Sequence, residues 1–251
     1  MSTLKVKRVL VSQPTPQAEK SPYFDLAKKW NIEIDFRSFI HVETVDNKEF
    51  RKNKINILDH TAVIFNSRTS VDHFFRICKD LRITVPDTMK YFCMSESITY
   101  YLQKYVLYRK RKIFYGKQSL EDLIELIVKH SENNKFLFPC SDIHKGEYSD
   151  LLEKNNINHT KAIMYKTVAS DLSDLSDVNY DMLVFFSPSG IKSLLKNFPK
   201  FEQNNTRIAV FGSSTARAVK EAGLRLDVEA PNVKAPSMTM AIDLYLKKVN
   251  K

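Results

Sequence analysis

The sequence predicts an α/β protein with parallel sheets, built from a duplicated unit. Three observations carry this. Strand-like apolar runs alternate with helix-like amphipathic runs along the whole chain, which is the pattern of βαβ units. Several strand-like runs are apolar at every position, as expected of strands covered by helices on both faces. And runs from the first half return, in the same order, in the second, the mark of an internal duplication.

Taken in order, VLVS (9–12) precedes the helix-like PYFDLAKKW, and FRSFIHVET (36–44) reads as extended. AVIF (62–65) precedes VDHFFRICKDL, KIFY (112–115) precedes SLEDLIELIVKH, and KFLF (135–138) precedes EYSDLLEKN. KAIMYKTVA (161–169) is a second extended run. MLVFF (182–186) then precedes IKSLLKNF, and RIAVF (207–211) precedes STARAVKEAGL. Gly223, after that last helical run, reads as a helix C-cap.

The duplication is specific enough to align. VIFNSRTSVDHFF parallels LVFFSPSGIKSLL, placing Ser67 on Ser187, Thr69 on Ser189 and Ser70 on Gly190. FCMSESITYYL parallels AVFGSSTARAV, placing Ser95 on Gly212 and Ile98 on Thr215. KQSLEDLIELI parallels APSMTMAIDLY, placing Ser119 on Ser237, and VLVSQP parallels FLFPCS at a slightly longer offset.

Composition narrows the class. The chain has 251 residues, 43% of them hydrophobic, enough for one large domain or two smaller ones. No apolar run is long enough to span a membrane, and the N-terminus lacks a signal-peptide core. The cysteines Cys78, Cys93 and Cys140 are scattered and form no metal-spaced pair. The expectation is a soluble, cytoplasmic protein with reduced thiols. A formal net charge of +10 favours anionic partners. The densest basic run, YRKRK (108–112), reads as a solvated segment or a binding patch, and no nucleic-acid-binding motif accompanies it.

The chemistry concentrates where strands give way to helices. A helix N-terminus presents unpaired N–H groups and partial positive charge, so it receives anions without needing a lysine. NSRTS (66–70), SESIT (95–99), GKQS (116–119), SPSG (187–190), GSST (212–215) and APSM (235–238) all have this design. Each alone is a plain helix cap; their recurrence on one kind of edge points to a shared anion site. Of only five glycines, Gly116, Gly190 and Gly212 fall between a strand and a helix, and Gly146 falls in the loop after KFLF. Dinucleotide, Walker and GxSxG motifs are absent. His41, His60, His73, His130, His144 and His159 form no metal-spaced pair and read as surface or structural. An enzyme of this kind positions a reactive substrate rather than supplying a strong nucleophile.

These residues resemble the uroporphyrinogen-III synthase family across nearly the whole chain. The resemblance is carried by MYKTV (164–168), MLVFFSPSGIKSLL (182–195), RIAVFGSSTARAVKEAGLRLDVEAP (207–231) and APSMTMAI (235–242). These match the family's Tyr-x-Thr crossing strand, its Ser-Pro-Ser-Gly-like loop and its Gly-x-Thr-Ala-like loop. It implies two flavodoxin-like parallel-sheet domains joined by a two-stranded β-ladder. One is discontinuous (1–38 plus 170–251), the other inserted (41–168), with crossings near 36–44 and 161–169 and the substrate in the cleft between domains.

The implied reaction closes the linear tetrapyrrole hydroxymethylbilane into uroporphyrinogen III, with loss of water and inversion of ring D. The resemblance implies no metal and no organic cofactor; a monomer with no nucleic-acid or membrane partner is the expectation. Tyr165 matches the Tyr-x-Thr tyrosine and is the catalytic candidate, either assisting departure of the hydroxyl or only orienting the chain. Implied binding residues are Ser187, Ser189, Gly190, Gly212, Ser213, Ser214, Thr215, Ser237 and Met238. From the inserted domain they are Asn66, Ser67, Arg68, Thr69, Ser95 and Gly116. Arg68 is either a carboxylate partner or a solvated cation. SESIT departs from the family pattern at Ser95 and Ile98, and Asn66–Arg68 departs from its usual Thr-Ser pair. A non-catalytic two-lobed anion-binding or regulatory module derived from this family is the alternative reading.

Overall fold

The structure, a computed structural model, describes residues 5–18, 20–116, 120–143, 147–176 and 179–250. The chain divides into two compact units, Met1–His41 with Val168–Lys251, and Val42–Thr167.

The first unit contains strands β1 (Arg8–Val11), β2 (Glu33–Phe36), β9 (Met182–Phe185), β10 (Arg207–Phe211) and β11 (Val228–Ala230). Its helices are α1 (Pro22–Trp30), α7 (Pro188–Asn197), α8 (Ser213–Glu221) and α9 (Met238–Val249). The strand order is β11-β10-β9-β1-β2, and every pair is parallel, with Leu10 opposite Leu183 at the centre. One face packs Val9, Val11, Val184 and Ala209 against Leu26, Ala241 and Ile242 of the helices. The other packs Leu10, Leu183, Phe185 and Ile208 against Ile191, Leu194 and Val219. Each such side chain contributes about 1.5–3 kcal/mol by leaving water, so both faces must be covered, as the all-apolar strands require.

The second unit holds β3 (Ile40–Thr44), β4 (Ala62–Phe65), β5 (Lys90–Cys93), β6 (Ile113–Tyr115), β7 (Phe136–Ser141) and β8 (His159–Ala169). Its helices are α2 (Asn47–Lys52), α3 (Arg68–Asp80), α4 (Glu96–Leu102), α5 (Leu120–Lys129) and α6 (Glu147–Lys154). The order is β3-β8-β7-β4-β5-β6, with β8-β7-β4-β5-β6 parallel throughout. The chain passes from one unit to the other in β3 and returns in β8. Val45 N–H donates to Met164 O (3.2 Å) and Ser170 N–H to Phe39 O (2.9 Å), so these two strands run antiparallel.

The duplication is visible in the topology. Replacing β11, β10, β9, β1 and β2 by β6, β5, β4, β7 and β8 converts one strand order into the other. The first unit has the flavodoxin order directly, and the second has it circularly permuted. Local geometry repeats as well. Ser67 caps α3 at φ −158°, ψ 162°, and Ser187 caps α7 at φ −154°, ψ 154°.

Helix starts are set by these caps. α1 begins at Pro22 behind Ser21, whose side chain accepts from Tyr23 N–H, and it ends at Asn31 in the left-handed region (φ 51°). α7 and α3 begin at Pro188 and Arg68, three residues before the first apolar-periodic positions, Ile191 and Val71. Gly190 therefore lies inside the first turn of α7, not between strand and helix. Proline at the first helical position loses no hydrogen bond, and the serine cap fixes the start upstream of the apolar stripe.

Candidate active site

In a parallel sheet every strand ends at the same edge, so the loops after β9, β10 and β11 lie side by side in the first unit. Those after β4, β5 and β6 do so in the second. Each unit also has a switch point. From β9 the chain winds outward through β10 and β11, whereas from β1 it winds the other way to β2. The crevice outside such a reversal is the usual ligand position in open α/β sheets. The corresponding reversal in the second unit falls between β4 and β7.

In the first unit the serine hydroxyls act as helix caps. Ser187 Oγ accepts from Gly190 N–H (3.3 Å), and Ser237 Oγ accepts from Met240 N–H (3.2 Å). A hydroxyl that accepts in this way keeps its own proton for donation to an anion. Ser189 is half-buried beside Ser187. Gly190 allows a close approach: a Cβ there would sit 3.1 Å from Phe185 Cδ1, a tight contact that the Phe185 ring would have to yield to. Gly212 caps α8 at φ 88° with no side-chain cap, and its N–H donates to Ala230 O at 2.6 Å. Ser213 is exposed and Ser214 half-buried.

Two of the expected contacts are not at the surface. Thr215 is 1% exposed, with an Oγ1 that makes no hydrogen bond among the described residues, and Met238 is 3% exposed. Both face inward because each falls on the apolar stripe of its helix.

In the second unit Ser67 makes a full capping box. Its Oγ accepts from Ser70 N–H (3.1 Å), while Ser70 Oγ accepts from Ser67 N–H (3.3 Å). Thr69 is half-buried and Arg68 exposed, its guanidinium 5.5 Å over the Tyr101 ring. Tyr101 in turn donates to Asp72 (2.7 Å), which fixes the platform. Asn66 Oδ1 is buried without a hydrogen bond among the described residues. Ser95 caps α4 by position only, its Oγ paired with Ser97 Oγ (3.0 Å), and Gly116 is buried with its N–H donating to Cys93 O. Ile98, like Thr215, is buried. Ser119, His144 and Gly146 lie outside the described residues.

Tyr165 occupies the C-terminal part of β8. Alternation along the strand puts Ala162 and Met164 in the core and Ile163 outside, so strict period two would send Tyr165 outward. A register shift against β7, between Cys140 and Ser141, changes the phase. Tyr165 is only 7% exposed and its ring stacks on His73, with centroids 4.9 Å apart and planes at 21°. Asp142 holds the motif at both ends: its N–H donates to Tyr165 O (3.2 Å), and its carboxylate accepts from Thr167 N–H (3.0 Å). Lys166, between them, pairs with Glu49 at 2.6 Å. Burial pushes the Tyr165 phenol above its ordinary pKa, a hydrogen bond from Ser67 opposes this, and Cys140 adds to the rise. The group is therefore a neutral hydrogen-bonding phenol at physiological pH, not a tyrosinate base.

Ser12, directly after β1, is a residue that sequence reasoning missed. Its N–H donates to Val184 O (2.9 Å), which places it at the first unit's switch point. The signal was the VLVSQP repeat; its significance depends on strand order. A cavity of about 670 Å³ lies elsewhere. It is lined by Cys78, Ile83, Met89, Tyr91 and Ile113, at the N-terminal ends of β5 and β6. No group of three His, Cys, Asp or Glu among the described residues could hold a metal ion, and no helix is long and apolar enough to cross a membrane.

Two doubly wound units with helix N-termini gathered at their strand C-ends define a duplicated α/β protein. The chain belongs to the uroporphyrinogen-III synthase family: the family's sequence model, described as uroporphyrinogen-III synthase HemD, matches residues 25–240. It is thus a cyclising lyase of tetrapyrrole biosynthesis. The crystal structure of the uroporphyrinogen-III synthetase from Helicobacter pylori is similar in fold, with a TM-score of 0.59 at 17% identity, over 96% of this chain and 99% of that one. A mutant uroporphyrinogen III synthase from Thermus thermophilus is similar with a TM-score of 0.53 at 13% identity, over 97% and 98% respectively. No curated protein matches the chain.

Proposed function

We propose that this chain closes hydroxymethylbilane into uroporphyrinogen III, inverting ring D and releasing water, as a cytoplasmic monomer without a nucleic-acid partner. The carrying observation is the duplicated set of helix N-termini at the strand C-ends, around Ser67 and Ser187. It suits a substrate with eight carboxylates and no need for a metal. Ser187, Ser189, Gly190, Gly212, Ser213, Ser214 and Ser237 bind carboxylates from the first unit. Asn66, Ser67, Arg68, Thr69, Ser95 and Gly116 do so from the second. Met238 contributes through its backbone N–H group, while the Thr215 N–H already donates to Gly212 O (3.1 Å).

The chemistry asks little of the protein. The terminal C–O bond breaks, the hydroxyl leaves as water, and the azafulvene electrophile that remains is attacked by ring D. That attack comes from the ring D α-carbon that already carries the bridge to ring C and gives a spirocyclic intermediate. The old bond from this carbon to the bridge then breaks, the bridge re-bonds at ring D's other α-carbon, and the proton there is lost to restore the pyrrole. Tyr165, as a neutral phenol, hydrogen-bonds to the departing hydroxyl. Holding the reacting ends in the inverting geometry supplies most of the acceleration.

The test feeds hydroxymethylbilane to the folded chain and resolves the porphyrin isomers after oxidation. Spontaneous closure gives isomer I, so isomer III in excess is the expected result, and persistent isomer I would leave anion binding alone. Tyr165→Phe is expected to lower kcat about a hundredfold, at the low end for a positioned proton donor. Unchanged turnover would remove Tyr165 from the chemistry.

A further inference from the structure

Among the six histidines, His73 is set apart by its neighbour. It lies on α3, six residues after the Ser67 cap, and its ring is stacked on Tyr165. Its Nδ1 is buried and makes no hydrogen bond among the described residues. A buried polar atom without a partner is uncommon and calls for an explanation. His73 is half-buried beside the core residues Phe74 and Ile77. What the His73 ring does offer is a flat plate against one face of the Tyr165 ring.

Tyr165 needs such a plate. It follows the β7–β8 register shift, so the regular alternation of the strand does not fix its direction. Asp142 holds the backbone on either side of it and Ser67 hydrogen-bonds its phenol, contacts at the backbone and the hydroxyl rather than at the face of the ring. Burial lowers the pKa of His73, and nearby Arg76 lowers it further against the opposing pull of Asp72, so the plate is uncharged at neutral pH.

We infer that His73 is a positioning residue for the reaction, its ring clamping the Tyr165 ring so that the phenol points into the Ser67 loop. The inference rests on Tyr165 acting on the substrate, as proposed above. The clamp itself is read without reference to activity.

With tyrosine ring carbons labelled and the Tyr165 signal assigned by its loss in Tyr165→Phe, ring flipping is measured by NMR. Flipping is expected to be slow in the parent chain and in His73→Phe, which keeps the plate, and fast in His73→Ala and His73→Leu. Leucine keeps the bulk without the plane, so it covers the case in which alanine fails to fold. Equally slow flipping in a folded His73→Leu or His73→Ala overturns the clamp.

In turnover, the loss of orientation is expected to lower kcat about tenfold with KM unchanged, a fraction of what a 1 Å misplacement can cost. His73→Phe is expected to stay within about twofold of the parent, and in a Tyr165→Phe background removing His73 should cost nothing further, as coupled residues behave. A kcat loss that persists in full in that background assigns His73 to packing and overturns the positioning role. Faster flipping together with unchanged turnover in both His73→Leu and Tyr165→Phe would refute the role of Tyr165 while leaving the clamp in place.

Discussion

Gly212 and Gly190 serve the candidate site for different physical reasons. Gly212 has φ 88° with open space where a Cβ would go; Gly190 has ordinary dihedrals but Phe185 against it. A side chain at Gly212 is thus strained whatever its size. Gly212→Ala is expected to destabilise the protein by about 1–3 kcal/mol, the usual cost of a residue held in a region reserved for glycine. A urea titration of both proteins measures it, and an unchanged midpoint would mean that the loop relaxes freely. The Gly212 loop also stands out because α8 has no side-chain cap, whereas Ser187 and Ser237 cap α7 and α9. At the start of α8 the Thr215 and Ala216 N–H groups both donate to Gly212 O (3.1 Å each).

At the scale of elements, α1 and α9 are tied together by Asp243. It accepts from Trp30 Nε1 at 2.7 Å and pairs with Lys29 at 2.7 Å. Hydrogen bonds from Lys29 and then Trp30 hold its carboxyl below the usual range. A carboxyl depressed in the folded state adds stability above its unfolded pKa of about 3.9, and that contribution is lost as pH falls through the folded value. Asp243→Asn is expected to cost about 1 kcal/mol at pH 7, a discounted figure for a partly exposed charge-assisted pair. The gap from the parent should close below about pH 4 in parallel melts; a gap that persists in acid would assign the effect to packing.

The elements were largely legible because their signals are local. α1, β4 and β10 have the bounds that apolar runs and caps indicate. α3 and α7 start earlier than periodicity suggests, since a serine cap acts before the apolar stripe begins. The phase of β8 was not legible, because the register shift depends on how Cys140 and Ser141 of another strand sit against it.

Across the whole molecule, the two units have separate cores and conveniently separate reporters. The single tryptophan, Trp30, lies in the first unit, and Cys78, Cys93 and Cys140 all lie in the second. The thiols are buried, which pushes Cys78 and Cys93 up to about 12 and Cys140 up to about 11. They are expected to resist alkylation at pH 8 in the native protein and to react once the second unit opens. Separate cores favour separate transitions. Trp30 fluorescence and pulsed thiol labelling should therefore give different denaturant midpoints, and coincident midpoints would show that the protein unfolds as one cooperative body.

The sequence by itself determined the alternation of strands and helices, the duplication and the serine caps. Each of these is written in residue spacing over a few turns, where periodicity and capping act. It also pointed to the strand-to-helix loops as the place for the proposed anion binding. Only the tertiary structure decided which loops flank a switch point, bringing in Ser12, because strand order is a property of long-range pairing. Only it turned Thr215 and Met238 inward and set Tyr165 against His73, because register and side-chain packing are settled between segments far apart in the chain.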